Sequence, residues 1–279
     1  MQIGIRLHDT ENVSLEERIG IIKKDNFQCV HMALYRLLDN IPKNNAILTP
    51  GFAMYLKRLF AKADIDIAVL GCYQNLANPD PQQLREIMNS YKDHIRFASI
   101  LGCGVVGSET GAPNVEYRFE PSCYSEEALN TFIKNLSVVV EYAESMGVII
   151  AIEPVCTHIV HNAKRARKVL DIINSPNLQI IFDPVNMISF DNYKNQDMII
   201  EEAIDLLGKD MAVIHMKDFI VQDQQIKSVA AGLGQLNYQP IIKFIRNNKA
   251  MIHCTLEDTT PENAVQAKEY IQKLYDMSR

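Results

Sequence analysis

The sequence has no CxxC pair, no excess of positive charge and no apolar run approaching a membrane span, and each absence removes a class of function. Its six cysteines (Cys29, Cys72, Cys103, Cys123, Cys156, Cys254) are scattered, which argues against a zinc knuckle or disulfide frame and for reduced, core-filling thiols. Lys plus Arg number 28 against 34 Asp plus Glu, a formal charge of −6, unsuited to wrapping a phosphate backbone. Apolar stretches such as Val148–Ile152 are far too short to span a bilayer, and the first residues lack a secretory leader pattern. The expectation is a cytoplasmic protein that engages neither membrane nor nucleic acid. No linker or low-complexity tract divides the 279 residues, so residues 1–279 read as one domain.

What the chain does have is alternation. Short apolar runs at Ile3–Leu7, Cys29–Leu34, Ile65–Leu70, Val105–Glu109, Val148–Glu153, Gln179–Asp183, Ala212–Met216 and Met251–Glu257 suit strands buried on both faces. Between them lie helical stretches at Leu15–Lys24, Pro50–Lys62, Pro81–Lys92, Ser125–Met146, Ala163–Asn174, Asp197–Leu207, Tyr238–Asn247 and Pro261–Met277. Ser125 is placed to cap the fourth helix, Thr260-Pro261-Glu262 to open the last one, and Gly147 to end the fourth in a left-handed turn. The strand ends recur about every 36 residues. Eight strand–helix repeats in a chain of this length predict an α/β fold, a closed (β/α)8 TIM barrel, which typically takes ~250 residues. An open doubly wound sheet is the structural rival.

In such barrels chemistry gathers at the C-terminal strand ends. Here the fifth run ends Ile152-Glu153-Pro154 and the sixth Phe182-Asp183-Pro184, the seventh passes through Ile214-His215-Met216, and the eighth ends Leu256-Glu257-Asp258. Three carboxylates converging on one mouth repel unless protons or a cation neutralise them. With one imidazole added they form a candidate divalent-metal site, its oxygen-dominated donors favouring Mn2+ or Mg2+, with Co2+ or Zn2+ as alternatives. A single acid at a strand end is more often a helix cap; four ligand-type residues on four consecutive ends are not readily explained so.

These motifs, with Ser108-Glu109-Thr110-Gly111, Phe182-Asp183-Pro184-Val185-Asn186, His215-Met216-Lys217-Asp218 and Gly232-Leu233-Gly234, give a chain that resembles the xylose isomerase-like TIM barrels. Within them it is similar to the sugar isomerase and epimerase group that includes tagatose and psicose 3-epimerases and inosose isomerases. The resemblance implies Glu153, Asp183, His215 and Glu257 as metal ligands, with Glu153 and Glu257 also moving protons on opposite faces of a sugar. It implies one divalent ion, a small sugar or polyol substrate and a homo-oligomer. Where epimerases of the group carry a histidine three residues after the sixth-strand Asp, this chain has Asn186; where they carry a glutamate six residues after the fifth-strand Glu, it has Ile159. Both departures touch substrate contacts and leave the metal set intact.

His158, Asn186, Lys217 and Glu109 are the candidates for binding substrate, with Lys217 also placed to form a salt bridge to Glu109 or Asp218. His161 lies beside His158 in the same loop. His8 and His31 either line the mouth or fill the core, and Tyr73 covers either an apolar face of a sugar or the barrel rim; His253 reads as structural, and the Gly232–Gly234 loop as a tight turn rather than a phosphate cradle. The leading expectation is an isomerase or epimerase working through an enediolate. Alternatives are a dehydratase of an inosose- or dehydroshikimate-like compound, an endonuclease at abasic sites (disfavoured by charge) and a non-catalytic sugar binder.

Overall fold

Residues 1–37 and 45–278 are described by a computed structural model. In chain order the elements are β1 (Gln2–Arg6), α1 (Leu15–Lys24), β2 (Cys29–Met32), α2 (Leu34–Leu37), α3 (Pro50–Ala63), β3 (Asp66–Gly71), α4 (Pro81–Leu101), β4 (Val105–Glu109), α5 (Glu126–Met146) and β5 (Ile149–Glu153). They continue with α6 (Ala163–Ile173), β6 (Leu178–Phe182), α7 (Gln196–Leu207), β7 (Met211–Met216), β8 (Asp218–Gln222), β9 (Gln225–Val229), α8 (Gln239–Asn248), β10 (His253–Leu256) and α9 (Ala264–Met277). Eight parallel strands close in the order β1-β10-β7-β6-β5-β4-β3-β2, while β8 and β9 form a separate antiparallel ribbon. The fold is the TIM barrel expected from the repeat spacing.

Strand alternation sorts the side chains. On β5, Ile150 and Ile152 point outward into the core beneath the helices, and Ala151 and Glu153 point inward. On β6 and β7, Ile181 and Val213 share that interior with Cys29 of β2, and these small and branched residues plug the barrel. Two residues further along the same inner faces come Asp183, His215 and His31. The plug therefore ends where the polar layer begins.

Helix ends follow local chemistry. Ser14 and Glu17 close a capping box on α1, Ser125 Oγ accepts from Ala128 N at the start of α5, and Gly147 ends α5 at φ +63°. Two helix boundaries differ from expectation by more than one residue. Helix α4 continues past Lys92 to Leu101, because Tyr91, Ile95, Ala98 and Leu101 extend one buried face until Gly102 turns left-handed. Helix α9 begins at Ala264, because Thr260 N donates to Asn263 Oδ1 and Asn263 N to Thr260 O, which closes Pro261 and Glu262 into a turn ahead of the helix.

The ribbon after β7 is an addition to the eight repeats. Asp218 anchors it: Oδ1 accepts from Phe219 N (2.8 Å) and Leu236 N (2.7 Å), and Oδ2 from Gly232 N (3.1 Å). Gly234 packs so tightly under this anchor that an added Cβ would stand 2.2 Å from Phe219 O. The glycine pair is thus a folded-in turn. Five of the cysteines are buried and Cys156 is half-buried, all as free thiols. Among the described residues no helix is long and apolar enough to cross a membrane.

Candidate metal centre and active site

Four adjacent strands, β5, β6, β7 and β10, deliver Glu153, Asp183, His215 and Glu257 to one point at the C-terminal mouth. All four are buried, with relative exposures of 3%, 0%, 0% and 5%. His215 Nδ1 is their centre: it stands 3.2 Å from Glu257 Oε1, 3.4 Å from Glu153 Oε1 and 3.7 Å from Asp183 Oδ2. It faces three carboxylates at once and forms a directional hydrogen bond with none. Ligand atoms of Glu153, Asp183 and His215 lie within 4.8 Å of one another, as do those of His31, His215 and Glu257. An imidazole nitrogen and carboxylate oxygens converging without hydrogen bonds among themselves fit a cation in place of the imidazole proton, and oxygen donors with imidazole suit a divalent one.

The charges are partly balanced by the chain itself. Lys217 follows His215 by two, so the alternation of β7 carries both inward, and Lys217 Nζ stands 2.8 Å from Asp183 Oδ2 and 3.1 Å from Glu257 Oε2. This corrects the expected pairing of Lys217 with Glu109 or Asp218. Asp218 falls on the opposite parity and is consumed by the ribbon turn, and Glu109 faces Tyr117. Arg6 adds a second cation, with Nη1 3.6 Å from Glu257 Oε2, while Nε and Nη2 bind Asp9 and Asp258.

These surroundings push the two glutamates apart. Burial raises the Glu153 carboxyl above its ordinary range, against the pull of His215. Burial acts on Glu257 in the same direction, but His215, Lys217 and Arg6 outweigh it and hold Glu257 well below. For His215, burial disfavours the proton, yet Glu257 and Glu153 overcome it and raise the imidazole to about 10. Lys217 is likewise held protonated by Asp183 and Glu257 despite burial.

Above this floor opens a cleft of about 360 Å3, whose polar walls include Arg6, His8, His31, Tyr73, Glu109 and Asn186. Asn186 sits in the turn after β6: its N–H donates to Asp183 Oδ1 (3.1 Å) and its Nδ2 donates to Glu153 Oε1 (2.6 Å), which orients that carboxylate. Glu109 accepts from Tyr117 Oη at 3.0 Å. His158 stands behind this wall, its Nδ1 4.0 Å from Glu109 Oε2 and its ring tilted on that of Tyr117, and it does not line the cleft. His161 packs on Tyr124, away from the mouth. His253 opens β10 at the other end of the barrel and meets Asp66 at 3.1 Å. His8 lines the cleft with both ring nitrogens buried and unbonded; burial, then Arg6 and Arg36, lower it to about 4.

Arg6, Tyr35, Arg36 and Tyr117 also line the cleft and escaped the sequence reading. Arg6 had a signal, a charge inside the first apolar run. Tyr117 had none, since it reaches the cleft from a loop where its backbone adopts φ +54°.

The comparisons agree with this architecture. Residues 21–277 match the model of the xylose isomerase-like TIM barrel family, and the chain belongs to that family. No curated protein matches significantly. Among solved structures, a D-tagatose 3-epimerase-like protein superposes with a TM-score of 0.76 at 20% identity, covering 100% of this chain and 98% of the other. The IOLI protein with a bound zinc atom gives 0.73 at 18%, covering 100% and 96%. D-psicose 3-epimerase with D-tagatose, from Clostridium cellulolyticum H10, gives 0.71 at 15%, covering 100% and 98%. At these identities the likeness is one of fold.

Proposed function

We propose that this protein is a divalent-metal-dependent isomerase or epimerase of a small ketose or cyclitol ketone. The observation that carries the reading is the convergence of Glu153, Asp183 and Glu257 on His215 Nδ1 at the floor of a polar cleft. Structures of similar fold include a tagatose 3-epimerase-like protein, a psicose 3-epimerase and a zinc-binding protein, which accords with sugar chemistry at a metal.

In this reading Glu153, Asp183, His215 and Glu257 hold the ion, which when bound supplies Lewis acidity that stabilises the negative charge of an enediolate. The chain's own residues do the rest. Glu153 and Glu257 stand three strands apart and address the substrate from two sides, one removing the proton beside the carbonyl and the other returning one. Asn186 fixes the Glu153 carboxylate through its 2.6 Å hydrogen bond. Lys217 offers an ammonium to a developing oxyanion. Glu109 and Tyr117 form the wall that meets substrate hydroxyls.

The test is deuterium wash-in from D2O, followed by mass spectrometry and NMR over a panel of ketoses, sugar phosphates and inososes. It is run with Mn2+ or EDTA on wild type and Glu257→Gln. Exchange at a carbon next to the carbonyl that requires both metal and Glu257 is the expected result. Release of water with new ultraviolet absorption would move the reading to a dehydratase; metal binding without exchange on any substrate would overturn it.

A further inference from the structure

His31 is 1% exposed and projects from β2 into the same polar layer, yet the four-ligand set leaves it without a task. Its two nitrogens differ. Nε2 stands 2.8 Å from Tyr73 Oη, within hydrogen-bond reach. Nδ1 is buried and has no hydrogen-bond partner, although it lies 3.8 Å from Glu257 Oε1. The ring stacks on His215 with centroids 5.2 Å apart, and ligand atoms of His31, His215 and Glu257 lie within 4.8 Å of one another. A buried polar atom left without a partner is costly, and a cation held between His215 and Glu257 would satisfy this one.

We infer that His31 is a fifth ligand to the same divalent ion, bound through Nδ1, with Nε2–H donating to Tyr73 to fix the tautomer. The inference rests on the metal-site reading given under Proposed function. A histidine ligand characteristically donates its other ring N–H to a neighbour, and Tyr73 is that neighbour. The consequence is selectivity. Carboxylate-dominated sets suit Mn2+ and Mg2+, and a second imidazole moves the balance toward Zn2+ and Co2+.

The experiment uses the full chain stripped with chelator and reloaded with Co2+. Proton NMR then counts hyperfine-shifted, exchangeable imidazole N–H signals. Two signals and one ion per chain are expected in wild type, and one signal in His31→Gln. In Tyr73→Phe both signals persist, with one exchanging faster with water. Competition between Zn2+ and Mn2+ should shift about tenfold or more toward Mn2+ in His31→Gln. A single signal in wild type, or two ions per chain, overturns the fifth-ligand assignment while leaving the metal site standing. Failure to retain Co2+ at all removes both. The wild-type count needs no variant, so a folding defect in His31→Gln cannot hide the answer.

Discussion

Lys217 Nζ lies 2.8 Å from Asp183 Oδ2 at the centre of the barrel mouth, so a fixed ammonium already addresses a carboxylate that the proposed metal ion would share. Removing one partner of a buried pair leaves the other charge uncompensated and costs about 3–5 kcal/mol. Lys217→Met should therefore lower the melting temperature of chelator-treated protein strongly, and that of metal-saturated protein much less. Scanning calorimetry with EDTA and with excess metal checks this; equal losses in both would mean that the ion does not share these carboxylates.

The ribbon anchor is a second point of vulnerability. Asp218→Ala strands three backbone N–H groups and should destabilise by about 3 kcal/mol. Gly234→Ala forces a Cβ against Phe219 O and should cost about 2 kcal/mol. Gly147→Ala meets open space and should lose only about 1–2 kcal/mol, from its φ of +63°. Urea denaturation of the three variants tests the order.

Acid should weaken the fold through His8. Its imidazole titrates at 6.5 when unperturbed and is lowered to about 4 in the fold, so between those values the unfolded chain binds the extra proton. Stability from this group is complete above pH 6.5 and is lost as pH falls toward 4. His8→Asn should flatten that part of the curve of denaturation free energy against pH. An unchanged slope would contradict the burial of the ring.

Tyr117 positions Glu109 without reaching the acids at the floor. Tyr117→Phe removes a single 3.0 Å hydrogen bond worth about 1 kcal/mol, and should raise KM roughly fivefold with kcat little changed. Steady-state kinetics on the ketose identified by deuterium exchange decides it. A fall in kcat alone would instead place Tyr117 in the chemical step.

Much of this was legible because barrel strands are buried on both faces and announce themselves as apolar runs. The apolar run Val105–Glu109 coincides with β4, and Glu153, Asp183, His215 and Glu257 stand out as ligand-type residues at the ends of such runs. The ribbon was not legible. Its two-residue turn, Asp223–Gln224, has φ of +51° and +58°, a conformation usually signalled by Asn-Gly or Asp-Gly, and no glycine marks it here. The expected pairing of Lys217 with Glu109 or Asp218 fails because strand parity carries its ammonium inward to Asp183 and Glu257. Tyr117 and Arg36 reach the cleft from loop and helix end, which carry no periodicity to read.

The plug of Cys29, Ala151, Ile181 and Val213 beneath the polar layer has a consequence for traffic. It closes the cleft below, so the vessel has one mouth. Whatever enters leaves by the way it came, and under the proposed activity a departing product stands in the path of the next arrival. Inhibition by accumulated product should accordingly be competitive with substrate.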